Sequence, residues 1–358
     1  MKSRSLFISL GLIGALAACQ SNTEAPAPAD KAAAEPAKAD AVEVKAEALP
    51  TKADPACVGA AGEGAPQVIE TANGKWERNG STVTWKDGAN AEGIVLGALT
   101  DIKDGAAENI ANLKKAVAFF TAEKVDAIVV AGDSGETEEH IAAVLDVLAE
   151  PKVPVFVVIG NRESKTIFNK SVAAAATKHP HIFNLNQVRR VDTPVVDLIS
   201  LPGYFNPDYL HAEDGCRYFG GDVAELATIA GTLNSPGLLV SHGGPKQEGK
   251  DALDYTSQGK NVGDEALTAF LTEAKVPFGI FGNIHEAGGT ATDLKGAKLA
   301  AGAEHDALFL NPGPADSIRW PMNDGTESAG MAAVMTIKGA KASYKVERFA
   351  AAEQAAAQ

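Results

Sequence analysis

Two hydrophobic rhythms run along the chain. Residues 67–87 alternate apolar and polar positions, with Trp76 and Trp85 on either side of Asn79-Gly80. A period of two around that dipeptide predicts a β-hairpin, added to the body as an edge or flap. From Gly93 the rhythm becomes strand–helix–strand. Apolar runs at 93–100, 126–131, 153–159, 195–201, 237–241, 277–281 and 307–310 predict buried strands. Helical spacing predicts a helix over 106–124, with Ile110, Leu113, Val117 and Phe120 inward. A second is predicted over 136–150, with Ile141, Val144, Leu145 and Leu148 inward and Pro151 as its stop. A third falls near 164–178, and runs at 334–337 and 342–347 predict closing antiparallel strands.

The N-terminus follows neither rhythm. Lys2 and Arg4 precede an apolar run from Leu6 to Ala18, too short to span a bilayer and shaped like a secretory signal peptide, residues 1–18. It ends in Leu16-Ala17-Ala18-Cys19, which resembles the bacterial lipobox and implies cleavage before Cys19 and lipidation of that residue. Gln20, in place of an Asp, points to the outer membrane, facing the periplasm. Residues 19–60 then read as the lipidated Cys and a disordered tether. The stretch from Ser21 to Pro55 is rich in Ala, Pro, Glu and Lys, contains no aromatic residue, and buries too little to offset ordering entropy. Partial helix at 41–48 is the alternative. Residues 61–92 are assigned to the hairpin extension, 93–350 to the main domain and 351–358 to a disordered tail.

Composition narrows the function. The 358 residues carry 32 Lys plus Arg against 46 Asp plus Glu, a net charge of −14. An overall basic surface for a nucleic-acid duplex is excluded, and membrane attachment has to come from acyl chains. With Cys19 lipidated, Cys57 and Cys216 remain, an even pair in an oxidising compartment. They either form a disulfide pinning the start of the folded region to the Cys216 loop or stay as two thiols.

The chemistry lies at strand ends. Asp101, Asp133, Asn161, His242 and the pair Asn283/His285 each follow the C-terminal end of an apolar run. In open α/β sheets that rim is where ligands bind. Asp, Asn and His converging from separate loops read as a metal site. Singly, Asp101 and Asp133 would read as helix N-caps, and Lys103 and Arg162 as solvated loop charges. Gly132-Asp133-Ser134 is similar to a serine-esterase block, but it follows the second core strand and no Asp-x-x-His partner lies near the C-terminus.

The ordered set resembles the calcineurin-like metallophosphoesterase family, whose pattern is D-x-H, G-D, G-N-H, a lone H and G-H-x-H. Here it reads Asp101-Ile102-Lys103, Gly132-Asp133, Gly160-Asn161-Arg162, His242 and Gly282-Asn283-Ile284-His285, followed by Asn311-Pro312-Gly313. The stretch 242–293 is similar to a subgroup with H-G-P-P and G-[HG]-I-H-E. The resemblance implies an α/β fold, a four-layered αββα sandwich of mixed sheets with the hairpin as an N-terminal addition. It implies hydrolysis of a phosphodiester or phosphomonoester, a nucleotide among them, by metal-activated water. Asp101, Asp133 and His285 would hold one ion, and Asp133, Asn161 and His242 the other, with Asn283 in a ligand slot.

Three positions depart from the pattern. Lys103 replaces a ligating His and cannot ligate while charged. Arg162 replaces the catalytic His; it is too weak an acid to protonate a leaving group but can grip phosphate. Asn283 replaces a ligating His. Lys103 and Arg162 together restore the charge that one lost divalent ion would remove. The expectation is therefore one ion of Mn, Zn, Fe or Ni, or a metal-free anion pocket, with hydrolysis weakened. A non-catalytic lipoprotein that binds a small phosphate ligand, with Lys103 and Arg162 holding the anion, is the alternative.

Overall fold

The computed structural model describes residues 51–88 and 92–350. The signal peptide, Cys19, the tether to residue 50 and the tail at 351–358 lie outside the described residues. The chain opens with strands β1 (Gln67–Thr71), β2 (Gly74–Asn79), β3 (Thr82–Asp87) and β4 (Ile94–Leu99). Next come α1 (Ala107–Glu123), β5 (Ala127–Ala131), α2 (Glu138–Leu148), β6 (Val155–Val158), α3 (Lys165–Lys178) and β7 (Ile182–Asn184). The second half holds β8 (Arg190–Asp192), β9 (Asp197–Leu201), α4 (Gly220–Ala230), β10 (Gly237–Ser241), α5 (Glu265–Glu273) and β11 (Phe278–Ile280). It ends with β12 (Thr290–Thr292), β13 (Leu308–Asn311), β14 (Trp320–Pro321), β15 (Glu327–Ser328), β16 (Met331–Lys338) and β17 (Lys341–Arg348).

A six-stranded sheet runs β17-β16-β4-β5-β6-β7, and a nine-stranded sheet runs β1-β2-β3-β8-β9-β10-β11-β13-β12. The central strands of each are parallel, β4 to β7 in one and β9-β10-β11-β13 in the other. Their apolar runs are continuous because both faces are covered. In β5, Ala127, Val129 and Ala131 pack between the sheets, while Ile128 and Val130 face the helices. β10 repeats this, with Leu238 and Val240 between the sheets and Leu239 outward. Helices α1, α2 and α3 press Leu113, Phe120, Ile141, Leu145 and Phe168 onto the six-stranded sheet. α4 and α5 press Leu226, Leu267 and Phe270 onto the nine-stranded one. The fold is the mixed-sheet αββα sandwich.

The expected hairpin becomes three strands. β1, β2 and β3 pair antiparallel in turn, and β3 joins β8 in parallel, so the segment extends the nine-stranded sheet at its edge. The assignment of residues 51–60 to a disordered tether needs correction. Lys52 pairs with Glu225 and Asp54 with Lys165, each at 2.7 Å, and Cys57 and Val58 are buried. Cys57 is joined to Cys216 by a disulfide. Composition hides this because the segment is held by ion pairs and one covalent bond.

Candidate metal centre

The C-terminal ends of β4, β5 and β6 in one sheet meet those of β10 and β11 in the other. Each delivers a polar group two residues after its last apolar residue, across an intervening Gly, Ser or Thr. Asp101, Lys103, Asp133 and Asn283 all have positive φ, between 53° and 71°. That region is sparsely populated by residues other than glycine, and it clusters at functional sites. The neighbouring glycines leave the space. A Cβ on Gly132 would meet His242 Nδ1 at 2.4 Å, and one on Gly160 would meet Asp133 Oδ1 at 2.1 Å.

Asp101 is fully buried. Its Oδ2 accepts from Thr100 Oγ1 (2.9 Å) and from the Asn283 backbone N–H (3.1 Å), and its Oδ1 faces His285 Nε2 at 3.2 Å. Burial opposes its charge, but the charge and hydrogen bond of His285, with His242 and Lys103, outweigh it and hold the carboxyl well below the usual range. Asp133 Oδ1 accepts the N–H groups of Asn161 and Arg162, each at 3.1 Å. Burial first, and then the Asp101 charge, push Asp133 up to about 7. Ligand atoms of Asp101, Asp133 and His242 lie within 4.8 Å of one another.

The donor set points to a cation. His242 Nδ1 lies 2.7 Å from Ala131 O, and a carbonyl can only accept, so Nδ1 is the donor there and Nε2 is the ring atom left to face the site. Asn161 Nδ2 donates to Tyr209 O at 2.6 Å, which fixes the amide and turns its Oδ1 inward. His242 Nε2 and Asn161 Oδ1 then face each other at 2.8 Å, with Asp133 Oδ1 at 3.4 Å from Nε2. Lone pairs meeting at that distance require a proton or a metal ion between them. Asp133, Asn161 and His242 fit a divalent ion with imidazole and oxygen ligands, and each orientation is set by an outer hydrogen bond.

The other group fits less well. Lys103 Nζ is turned to Asp316 Oδ2 at 2.7 Å and lies 4.1 Å from the centre of the Trp320 ring. His285 lies against the same Trp320 ring, with ring centres 4.3 Å apart. Asp316 Oδ1 accepts from Trp320 Nε1 (2.9 Å), and its backbone N–H bonds Asp101 O. Arg162 pairs with Glu136 at the rim. Lys103 and Arg162 thus each face a carboxylate of their own, Asp316 inside the site and Glu136 at its rim. Asn283 braces Asp101 through its backbone and gives its Nδ2 to Tyr204 Oη (2.9 Å).

Motif and spacing assign no role to Glu163, Asp316, Trp320 or Tyr204. Glu163 is fully buried, and its carboxylate accepts from Ser134 N (2.6 Å), Ser134 Oγ (3.1 Å) and Gly160 N (3.0 Å). It ties the Asp133 loop to the Asn161 loop; burial, then the Asp133 charge, push it up to about 8. Its signal was its place beside Gly160-Asn161-Arg162. Asp316 had only its closeness to the Asn311-Pro312-Gly313 turn, which Pro314 pairs against Thr100.

A search of curated proteins finds no match. One solved structure superposes on 72% of this chain and 100% of its own at 18% identity, with a TM-score of 0.52. A dimetal phosphatase from Danio rerio is 13% identical over 72% of this chain and 99% of its own (TM-score 0.44). The phosphopantetheinyl hydrolase of Mycobacterium tuberculosis is 15% identical over 63% of this chain and 91% of its own (TM-score 0.43). Such identities speak to the fold alone. The profile of the calcineurin-like phosphoesterases matches residues 94–287, just over half of the sequence, and takes in every strand end described above. The chain belongs to the calcineurin-like phosphoesterase family.

Proposed function

We propose that the protein is a metal-dependent phosphoesterase that works with one divalent ion, Mn, Zn, Fe or Ni, held by Asp133, Asn161 and His242. The observation that carries this is the meeting of His242 Nε2 and Asn161 Oδ1 at 2.8 Å, each aimed by a backbone carbonyl. When bound, the ion supplies Lewis-acid polarisation of a phosphoryl oxygen and eases deprotonation of water. Asp101, beside this set, holds His285 through its Nε2. Arg162 stands at the rim, partly exposed, in a surface ion pair with Glu136 that a phosphate can replace bidentately. It cannot donate a proton, so the leaving group departs without protonation by this residue. That favours esters whose leaving group is already stable as an anion, and it lowers turnover on others. The substrate class we assign is a small phosphodiester, and the texture of 242–293 is what supports a kinship with the subgroup that carries the G-[HG]-I-H-E motif.

The test is ion counting joined to turnover. Equilibrated with Mn²⁺ and desalted, the protein should retain about one ion per chain and hydrolyse an aryl phosphodiester. Asp133→Asn and His242→Ala should each lose the ion and the turnover together. Two ions per chain, or none, would overturn the one-ion reading.

We further propose that the chain is an envelope lipoprotein, anchored through Cys19 in the outer membrane and facing the periplasm. Support comes from the Leu16-Ala17-Ala18-Cys19 pattern and from Gln20. Cys19→Ser should move the protein from the membrane to the soluble fraction; continued sedimentation with membranes would sink the idea.

A further inference from the structure

Asn161 is the amide member of the ligand set, so its place depends on hydrogen bonds. Two come from one loop, residues 203–218, between β9 and α4. Its Nδ2 donates to Tyr209 O (2.6 Å), and its backbone carbonyl accepts from His211 N (2.9 Å). The same loop supplies Tyr204, whose hydroxyl accepts from Asn283. Its regular structure is one 3-10 turn at Pro207–Tyr209 and two isolated bridges near its ends, Tyr204 to Arg217 and Gly215 to Ser164, so its outer part rests on what holds those ends.

It is held at its far end. Cys216 O accepts from Tyr204 N at 2.9 Å, closing the base of the loop, and Cys216 Sγ is bonded to Cys57. The Cys57 segment lies along α3: Asp54 pairs with Lys165 (2.7 Å), and Asn169 Nδ2 donates to Ala56 O (2.7 Å). α3 begins immediately after Asn161-Arg162-Glu163, with Ser164 as its N-cap. The path is a closed ring: Asn161, α3, residues 54–57, the disulfide, the loop, and back to Asn161. A second clasp joins loop and helix directly, where Asp214 Oδ2 accepts from Ser164 Oγ (2.9 Å) and Thr166 Oγ1 (2.8 Å).

We propose that the Cys57–Cys216 disulfide positions the metal centre, so that ion retention depends on the oxidation state of this pair. The inference rests on the one-ion reading of Asp133, Asn161 and His242. A dithiol reductant opens the bond by two-electron transfer: the S–S bond breaks, each sulfur gains a proton, and the dithiol closes to its own disulfide. The loop then keeps the Asp214 clasp and the backbone bond between Tyr204 and Cys216, and loses its covalent tie to residues 54–57. Tyr209 O and His211 N no longer hold Asn161 in one place, and its Oδ1 is not fixed towards His242.

The test compares the oxidised full chain with Cys57→Ala/Cys216→Ala. Mn²⁺ affinity is measured by equilibrium dialysis at a temperature where circular dichroism shows both folded. Outer-shell partners of metal ligands are worth about 10–100-fold in affinity, and a loss in that range is expected. The rise in melting temperature on adding Mn²⁺ should shrink in parallel. A bond that serves stability alone would lower the melting temperature with and without metal equally and leave that rise unchanged. Equal Mn²⁺ affinity in the two proteins overturns the proposal while leaving the one-ion reading intact. No Mn²⁺ on the oxidised protein overturns both. If the double variant does not fold, the full chain reduced by a dithiol under argon and freed of it takes the variant's place in the same dialysis. It should bind Mn²⁺ several-fold more weakly than the oxidised chain, and unchanged binding overturns the proposal.

Discussion

Lys103 and Asp316 form a charge pair in a place where neither charge could stand alone. The lysine side chain is 8% exposed and the carboxylate 0%. Removing one partner of such a pair costs about 3–5 kcal/mol, because the other is left buried and uncompensated. Asp316→Ala should therefore lower the urea midpoint strongly. Lys103→Met/Asp316→Ala should recover part of the loss, since it removes both charges and leaves an apolar chain against Trp320. Equal midpoints for Asp316→Ala and the parent would mean the pair carries no stability. Lys103 was visible in the sequence as a departure from a pattern, but its partner was not. Asp316 lies on a turn with no periodicity, and nothing in an isolated Ala-Asp-Ser marks which cation it will meet. The ligands were readable for the opposite reason: each is the first polar residue after a buried strand.

Among the elements, the N-terminal strands are joined to the body by stacked aromatics. Trp76 and Trp85 lie nearly parallel with ring centres 5.0 Å apart, and Phe156 of β6 meets Trp76 edge-on at 5.8 Å. Trp76 is fully buried between the two sheets. Trp76→Ala should cost about 3–5 kcal/mol. It should do so within one cooperative unfolding transition, because the cavity opens in the shared core. A separate early transition would show that β1 to β3 fold as an independent flap. Alternation made β2 and β3 legible. β7, β8 and β12 were not, since three residues are too few to show a period of two. α4 opens on Gly220-Gly221 and α5 spans nine residues, so neither gave a helical pattern long enough to stand out from its flanks.

In the whole molecule, what could not be read was how strands from distant parts of the chain become neighbours. The runs were placed closely, but the pairing of β4 with β16, and of β3 with β8, is a tertiary choice that local patterning does not encode. The sandwich matters to the centre because β4, β5 and β6 come from one sheet and β10 and β11 from the other. The site therefore exists only when both sheets are assembled.

The same architecture divides the chain's three tryptophans into two optical channels. Trp320 lies over Lys103 and against His285, beside the centre. Trp76 and Trp85 are locked face to face in the core. A change in the charge or packing around His285 reaches the emission of one indole, while the coupled pair gives a circular dichroism couplet that answers to the integrity of the sandwich. Comparing the two signals separates events at the site from unfolding in one cuvette, without an added label.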